Sequence, residues 1–422
     1  MALAASLALA GCESSEERAA RHYKAGVELV AAGDLDRALV EFRNVFKYDG
    51  QHREAREAYA GILYDRGDLR EAYSQYLRLI EQYPDVLPAR LRLAGMAVAR
   101  NDWAEAERHG RAAQALDPAM PAVQAITALL DYRAAATARD AAGRSDAAAR
   151  AAALLADHPD LDPEAGMLRR LLIDYHAGRE DTAAALAAAD AALAAEPESF
   201  DLNVTRFRLL AEAGDLEGTG AQLRAMFQRF PDNAEVRTAL TQWYFAKGDV
   251  AGAEAFLREV AGAPTDAAEG HVAVVQLLEA TRGPEAARAE LERLAAAAAG
   301  HPNADLFNAL IASIDFESGR RDAAIAAVEA ILRDAPASEQ TRRIKLLQAR
   351  MLQATGNPVG ARALVEAVLA EDASSVEALK LRAGWAIDAD RPAEAIADLR
   401  AALNQAPRDA AIMTLMAQAH ER

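Results

Sequence analysis

The sequence is poor in cysteine, in aromatic residues and in positive charge. It has one cysteine among 422 residues, so no disulfide can form within the chain. Aromatic residues make up only 5% of the sequence, and runs of β-branched residues are scarce. The net charge of −17 argues against nucleic acid as a partner, because phosphate binding needs a basic face.

Long apolar runs and catalytic motifs are also missing. No stretch from residue 13 onward approaches the ~18 uninterrupted apolar residues of a membrane span. There is no glycine-rich phosphate loop ending in Lys-Ser or Lys-Thr, no Gly-x-Ser-x-Gly elbow, and no histidine pair with the spacing of a zinc protease. The sequence therefore offers no catalytic residue, no metal site and no cofactor site, and we expect a protein that is not an enzyme.

Helix formers and a repeated turn dominate what is present. About a quarter of the residues are alanine, which favours helix. A turn resembling Gly-Asp recurs along the chain, and its first two steps are both 34 residues. The turn positions are Gly33, Gly67, Asn101, Gly143, Gly178, Gly214, Gly248, Gly283, Gly319, Gly356 and Asp390. A fixed period in this range is typical of a solenoid.

Each repeat can be explained as a pair of helices. The glycine tolerates the left-handed backbone that ends the first helix, and the following Asp or Asn can cap the second. Five positions after the turn, a small residue lets the two helices pack closely: Ala38, Ala72, Ala106, Ala253, Ala324, Ala361 and Ala395. A proline about 17 positions after the turn stops the second helix: Pro84, Pro118, Pro231, Pro336 and Pro407.

This pattern resembles the tetratricopeptide repeat (TPR), and residues 53–84 match it best. Gly61, Tyr64, Gly67, Ala72 and Pro84 occupy the family's small, aromatic, turn, small and proline positions. The resemblance implies an all-α fold, a right-handed superhelical solenoid of antiparallel helix pairs. It covers residues 19–422 as one solenoid of about eleven repeats plus a terminal helix.

One region, residues 120–166, departs from the regular spacing. Residues 120–142 read as a single long helix, about two turns longer than its neighbours. Residues 156–166 carry two prolines and four acids, which predicts a loop. We interpret the irregularity as an insertion tolerated within one repeat, without a domain boundary.

The resemblance also implies a protein partner bound in a concave groove lined by the first helix of each repeat. The groove positions transferred to this sequence are Glu57, Ile62, Asp65, Arg66, Leu168, Leu172, Tyr175, Thr238, Gln242, Phe245, Ala309, Ser313 and Phe316. Tyr175, Phe245 and Phe316 place an aromatic ring at the same position of three repeats. The rings either anchor the partner or pack between neighbouring repeats.

The last helix, residues 408–422, is a second candidate contact site. Ile412, Met413, Leu415 and Met416 offer more apolar surface than one neighbouring helix can cover, and a terminal repeat usually needs a polar outer face. We therefore expect either a contact surface or the edge of a longer chain.

The single cysteine follows a short apolar run and reads "LAGC" at Leu9 to Cys12. This resembles the lipobox of bacterial lipoproteins, in which the thiol accepts a diacylglyceryl group and the acyl chains hold the protein in a membrane. It implies a signal segment over residues 1–12, lacking the usual positively charged n-region, and a tether over residues 13–18. The alternative is a chance cysteine in an alanine-rich terminus.

Together, these features predict a lipid-anchored TPR scaffold of the bacterial cell envelope that faces the periplasm and binds proteins. Among TPR lipoproteins, the length and repeat number are most similar to those of exopolysaccharide biosynthesis and export, including PEP-CTERM/exosortase systems. Two alternatives are an accessory subunit of an enzyme such as a glycosyltransferase, and a soluble chaperone-like adaptor. The sequence does not distinguish the inner from the outer membrane.

Overall fold

A computed structural model describes residues 13–161 and 163–422, which fold as an all-α helical repeat solenoid. These described residues form 23 helices and no strands. The chain divides into two compact units, Met1–Val236 (unit 1) and Arg237–Arg422 (unit 2). The prediction of an all-α solenoid is confirmed.

Unit 1 begins with the twelve helices α1 (Ser15–Ala31), α2 (Leu35–Tyr48), α3 (Arg53–Asp65), α4 (Leu69–Gln82), α5 (Leu87–Ala99), α6 (Trp103–Leu116), α7 (Pro121–Ala138), α8 (Ala141–Asp157), α9 (Glu164–Ala177), α10 (Thr182–Ala195), α11 (Phe200–Glu212) and α12 (Leu216–Arg229). The next helix, α13 (Ala234–Ala246), contains the division between the units. Unit 2 continues with α14 (Val250–Ala261), α15 (Ala268–Arg282), α16 (Pro284–Ala297), α17 (Pro302–Glu317), α18 (Arg321–Asp334), α19 (Glu339–Ala354), α20 (Pro358–Glu371), α21 (Val376–Asp388), α22 (Pro392–Gln405) and α23 (Ala410–Glu421).

The helices pack as consecutive pairs joined by short turns, as in α1 with α2 and α21 with α22. Most predicted turn residues have the left-handed backbone that ends a helix: Gly33, Gly67, Asn101, Gly214, Gly248, Gly283, Gly319, Gly356 and Asp390. The next residue then caps the second helix in several pairs. Asp34, for example, accepts a hydrogen bond from the backbone N–H of Arg37.

The small residues of the second helices lie where the pairs are packed most closely. All seven predicted alanines are buried, with at most 2% of their surface exposed: Ala38, Ala72, Ala106, Ala253, Ala324, Ala361 and Ala395. A larger side chain at these positions would push the paired helices apart. The prolines also act as predicted, since α4 ends at Gln82 just before Pro84.

The turn predicted at Gly143 was wrong, and the turn predicted at Gly178 is present but takes its left-handed residue from another position. The left-handed residues of the fourth and fifth pairs are Arg139 (φ 58°) and Glu180 (φ 60°). Gly143 instead lies in the first turn of α8, where its N–H bonds the capping side chain of Asp140, and Gly178 ends α9 with φ −67°. The glycines misled the prediction because a non-glycine residue can occupy the left-handed region at a cost of about 1–2 kcal/mol.

The irregular region and the N-terminus also differ from expectation. The single helix predicted over residues 120–142 ends at Ala138, because Arg139 breaks it, and α8 begins at Ala141. The loop predicted over residues 156–166 is shorter, because α8 runs to Asp157 and α9 starts at Glu164. At the N-terminus, α1 begins at Ser15 with a Ser14–Glu17 capping box, so residues 15–18 are helix and not tether.

Candidate partner-binding cleft

The predicted groove residues of the second repeat range from buried to exposed. Ile62 is buried at 7% exposure, and Glu57 is half-buried. Asp65 and Arg66 are exposed. Arg66 donates a 2.6 Å hydrogen bond to Asp36 of the preceding repeat.

The predicted groove residues of the fifth repeat are either fully buried or half-buried. Leu168 is fully buried, while Leu172 and Tyr175 are half-buried. The Tyr175 hydroxyl donates to Ser145 Oγ at 3.1 Å, and its ring meets that of Tyr132 edge-on at 6.5 Å. Tyr175 therefore packs against its neighbouring repeat.

The seventh repeat brings its three predicted residues together. Thr238, Gln242 and Phe245 of α13 line one cavity of about 590 Å³. The Phe245 side chain is 46% exposed, which is unusual for a large aromatic residue. Its ring is therefore available to a partner.

The ninth repeat differs, although its aromatic residue occupies the same repeat position. Ala309 is fully buried, and Phe316 packs against the core cluster that contains Ala309. Ser313 is half-buried. The guanidinium of Arg321 lies 5.6 Å from the centre of the Phe316 ring, so this ring is held on both sides by the protein.

A larger cavity, of about 770 Å³, lies on the first helices of the eighth to eleventh repeats. Its apolar lining includes Leu306, Leu310, Leu346, Leu347 and Val376 from α17, α19 and α21. None of the predicted groove residues lines this cavity. No groove residue was predicted in the eighth, tenth or eleventh repeat, and those predicted in the ninth lie outside the lining.

The sequence contained a signal for part of the lining of this larger cavity. Leu346 and Arg350 precede Gly356 by the same distances as Thr238 and Gln242 precede Gly248. All four residues line the cavities. Extending the repeat register to the tenth repeat would therefore have found these two residues.

The two cavities share Glu269 and Ala273 of α15. The two cavities therefore adjoin, and we call their combined lining the unit-2 cleft. It is lined by the residues of both cavities, from Arg237 on α13 to Gln405 at the end of α22. Aliphatic and charged side chains both contribute to its lining, and Phe245 is exposed there.

Arginine–carboxylate pairs dominate the electrostatics of the unit-2 cleft. Arg343 donates hydrogen bonds to Glu269 and, at 2.7 Å, to Glu339, and Arg350 donates to Glu377 at 2.9 Å. Burial raises the pKa of the Glu269 carboxyl, but the hydrogen bonds from Arg343 and from the backbone N–H of Glu269 itself outweigh this effect. The pKa of Glu269 therefore lies below its ordinary value.

Other candidate sites carry no such arrangement. Among the described residues, no group of three or more His, Cys, Asp and Glu side chains could hold a metal ion, and no helix is long and apolar enough to cross a membrane. Asn203 opens an Asn-Val-Thr sequence that matches a glycosylation sequon, but it is 4% exposed and donates to the carbonyls of Pro197 and Ser199. Cys12 lies outside the described residues.

Family comparisons agree with the repeat spacing. One tetratricopeptide repeat model matches residues 29–94 and 210–277, and a second model of the same repeat matches residues 309–376. The chain carries tetratricopeptide repeats. Such repeats form scaffolds suited to protein–protein interaction. The unit-2 cleft is thus a surface of a tetratricopeptide-repeat scaffold, and it overlaps two of the matched segments.

Several solved structures are similar to this tetratricopeptide-repeat chain. Yeast Tom70 is 12% identical over 97% of this chain and 96% of its own, with a TM-score of 0.37. Pseudomonas aeruginosa pilF is 14% identical over 53% of this chain and 97% of its own, with a TM-score of 0.38. A tetratricopeptide repeat protein from Parabacteroides merdae is 15% identical over 70% and 99%, with a TM-score of 0.28. No curated protein matches the chain.

Proposed function

We propose that this protein is a non-enzymatic scaffold that binds an extended segment of a protein partner in the unit-2 cleft. The observation that carries the proposal is that the two cavities, about 590 and 770 Å³, adjoin at their shared residues Glu269 and Ala273. Exposed aromatic surface at Phe245 adds a potential anchor, since aromatic residues contribute strongly to interfaces.

The chemistry of the cleft selects the occupant. Aliphatic side chains such as Leu310 and Leu347 favour apolar side chains of a partner. Arg342, Arg343 and Arg350 on the wall favour acidic groups among them. An extended chain advances about 3.3 Å per residue, so a short segment can reach both cavities.

Site-specific crosslinking tests the assignment of the cleft. A photoreactive amino acid at Gln242 or Gln276, both exposed and lining the cleft, should capture the partner in native cells. The same group at Ala363, exposed on α20, is the matched control outside the cleft. Equal capture from all three positions, or capture from Ala363 alone, would contradict the proposal.

We also propose that the protein is anchored to a bacterial envelope membrane by lipid on Cys12 and faces the periplasm. The support is the lipobox-like "LAGC" together with the start of α1 at Ser15, which leaves Glu13 and Ser14 between the thiol and the first helix. Cys12→Ala should release the protein from the membrane fraction without changing its helical circular dichroism. A native chain that begins upstream of Cys12 with unmodified mass would refute lipidation.

For the pathway, we propose a role in exopolysaccharide biosynthesis or export, on the basis of the resemblance in length and repeat number. Identification of the crosslinked partner decides this. Recovery of polysaccharide machinery supports the proposal. Recovery of a single glycosyltransferase favours an accessory enzyme subunit, and recovery of a chaperone by a soluble protein favours an adaptor.

A further inference from the structure

One ion pair in the unit-2 cleft joins helices from alternate repeats. Arg343 on α19 donates a hydrogen bond to Glu269 on α15, 74 residues earlier in the chain. Leu306 and Leu310 of α17, the first helix of the repeat in between, line the same cavity. Because Glu269 belongs to both cavities, the pair lies where they join, and a segment that fills both must pass it.

The two partners of this ion pair differ in exposure. The Arg343 side chain is 33% exposed, whereas Glu269 is 59% exposed. Glu269 can therefore turn into water at little cost, whereas the less exposed guanidinium would keep only Glu339 as a charge partner. The carboxylate is the member of the pair that can be exchanged.

Arg343 also has donors to spare. Both of its hydrogen bonds, to Glu269 and Glu339, come from Nη2. Within residues 13–161 and 163–422, neither Nε nor Nη1 donates to another residue. A guanidinium binds a carboxylate best through two parallel N–H groups. The Nε–H and Nη1–H groups of Arg343 can therefore donate hydrogen bonds to an incoming carboxylate.

We infer that the partner segment carries an acidic side chain that replaces Glu269 on Arg343, while apolar side chains before and after it enter the two cavities. This inference rests on the proposed function of the cleft. The exchange substitutes one carboxylate for another on the same guanidinium, so the ionic terms nearly cancel. The apolar contacts then supply most of the affinity, and the acid fixes the register of the segment.

Binding of two matched peptides to the full chain tests the inference. The probes are dye-labelled peptides with leucines on both sides of one central position, which is aspartate in one peptide and asparagine in the other. Fluorescence anisotropy should show an affinity about threefold higher for the aspartate peptide. In Glu269→Gln, which removes the competing carboxylate, we expect the affinity for the aspartate peptide to be about tenfold higher than that for the asparagine peptide. In Arg343→Gln the preference should vanish.

Glu371→Gln is the matched control, because it removes the carboxylate partner of Lys345, which lies on the same helix as Arg343 but not in the lining of the cleft. The aspartate preference should stay at about threefold in this variant. A preference that rises in Glu371→Gln and not in Glu269→Gln overturns the inference. Equal affinities for both peptides in every variant also overturn it, while leaving the cleft as a binding site. If neither peptide binds, the proposed cleft fails, and the inference fails with it.

Discussion

Replacing Glu290 with glutamine should destabilise unit 2 in a pH-dependent way. Glu290 lies on α16 and is only 7% exposed. It accepts two hydrogen bonds from Arg258 of α14, at 2.6 and 3.2 Å. It accepts two more from Arg293 of its own helix, at 2.6 and 3.1 Å. This carboxylate therefore links the second helices of two neighbouring pairs.

The size of the effect follows from the pKa of Glu290. Burial raises this pKa, but the hydrogen bonds from Arg293 and Arg258 outweigh it and lower the pKa from 4.5 to about 2. At ~1.4 kcal/mol per unit, the shift corresponds to at most about 3.5 kcal/mol. Arg293 is 55% exposed, and solvent screens its share, so we expect about 2 kcal/mol.

The sign of the pH dependence is fixed by the lowered pKa. The charged carboxylate stabilises the folded state fully above pH 4.5, and this contribution is lost as the pH falls toward 2. Glutamine keeps the shape of the side chain but cannot carry the charge. The difference between the native chain and Glu290→Gln should therefore be largest at neutral pH and shrink progressively below pH 4.5.

Hydrogen exchange of the α14 and α16 amides at pH 7 measures the local loss of stability. Urea unfolding, monitored by circular dichroism at pH 7, 4.5 and 3, measures how the stability difference between the native chain and the variant changes with pH. Glu292→Gln is the control on the same helix. Its side chain is 56% exposed and pairs with Arg288 at 3.0 Å, so we expect a change within about 0.5 kcal/mol. A loss below about 0.5 kcal/mol for Glu290→Gln, or a difference that grows as the pH falls, would refute the reasoning.

Two further predictions concern packing and the cleft. Phe245→Ala should weaken partner capture by at least about 2 kcal/mol with little change in stability, because the ring is 46% exposed. Phe316→Ala should mainly lower the melting temperature, because that ring packs on the core. The reverse pattern in melting and pull-down assays would contradict this. Gly26→Ala should destabilise α1 by about 1–3 kcal/mol, because its Cβ would stand 2.6 Å from the buried Phe42 ring. Gly61→Ala, whose nearest contact would be 3.9 Å away, should instead stabilise α3 by about 0.5–1 kcal/mol. Equal hydrogen-exchange changes in the two helices would argue against this account.

The helix pairs were predictable because their signals are local. A glycine such as Gly67 ends a helix through its own backbone freedom, and Pro84 stops the next helix through its own ring. Ala72 could be assigned to the pair interface from its spacing alone, and it is fully buried. Where a non-glycine residue takes the left-handed position, as Arg139 does, the local signal fails and the turn is misplaced.

The exposure of the groove residues was decided by tertiary structure. Phe245 and Phe316 occupy the same repeat position, yet one ring lines a cavity and the other packs on a core cluster. The difference in exposure depends on which side chains the neighbouring helices place around each ring. It cannot be predicted from the phenylalanine or its position in the repeat. The pair formed by Glu269 and Arg343 joins residues 74 positions apart. The sequence determined that this chain is a stack of helix pairs. Only the packing of those pairs decided which of their side chains a partner can reach.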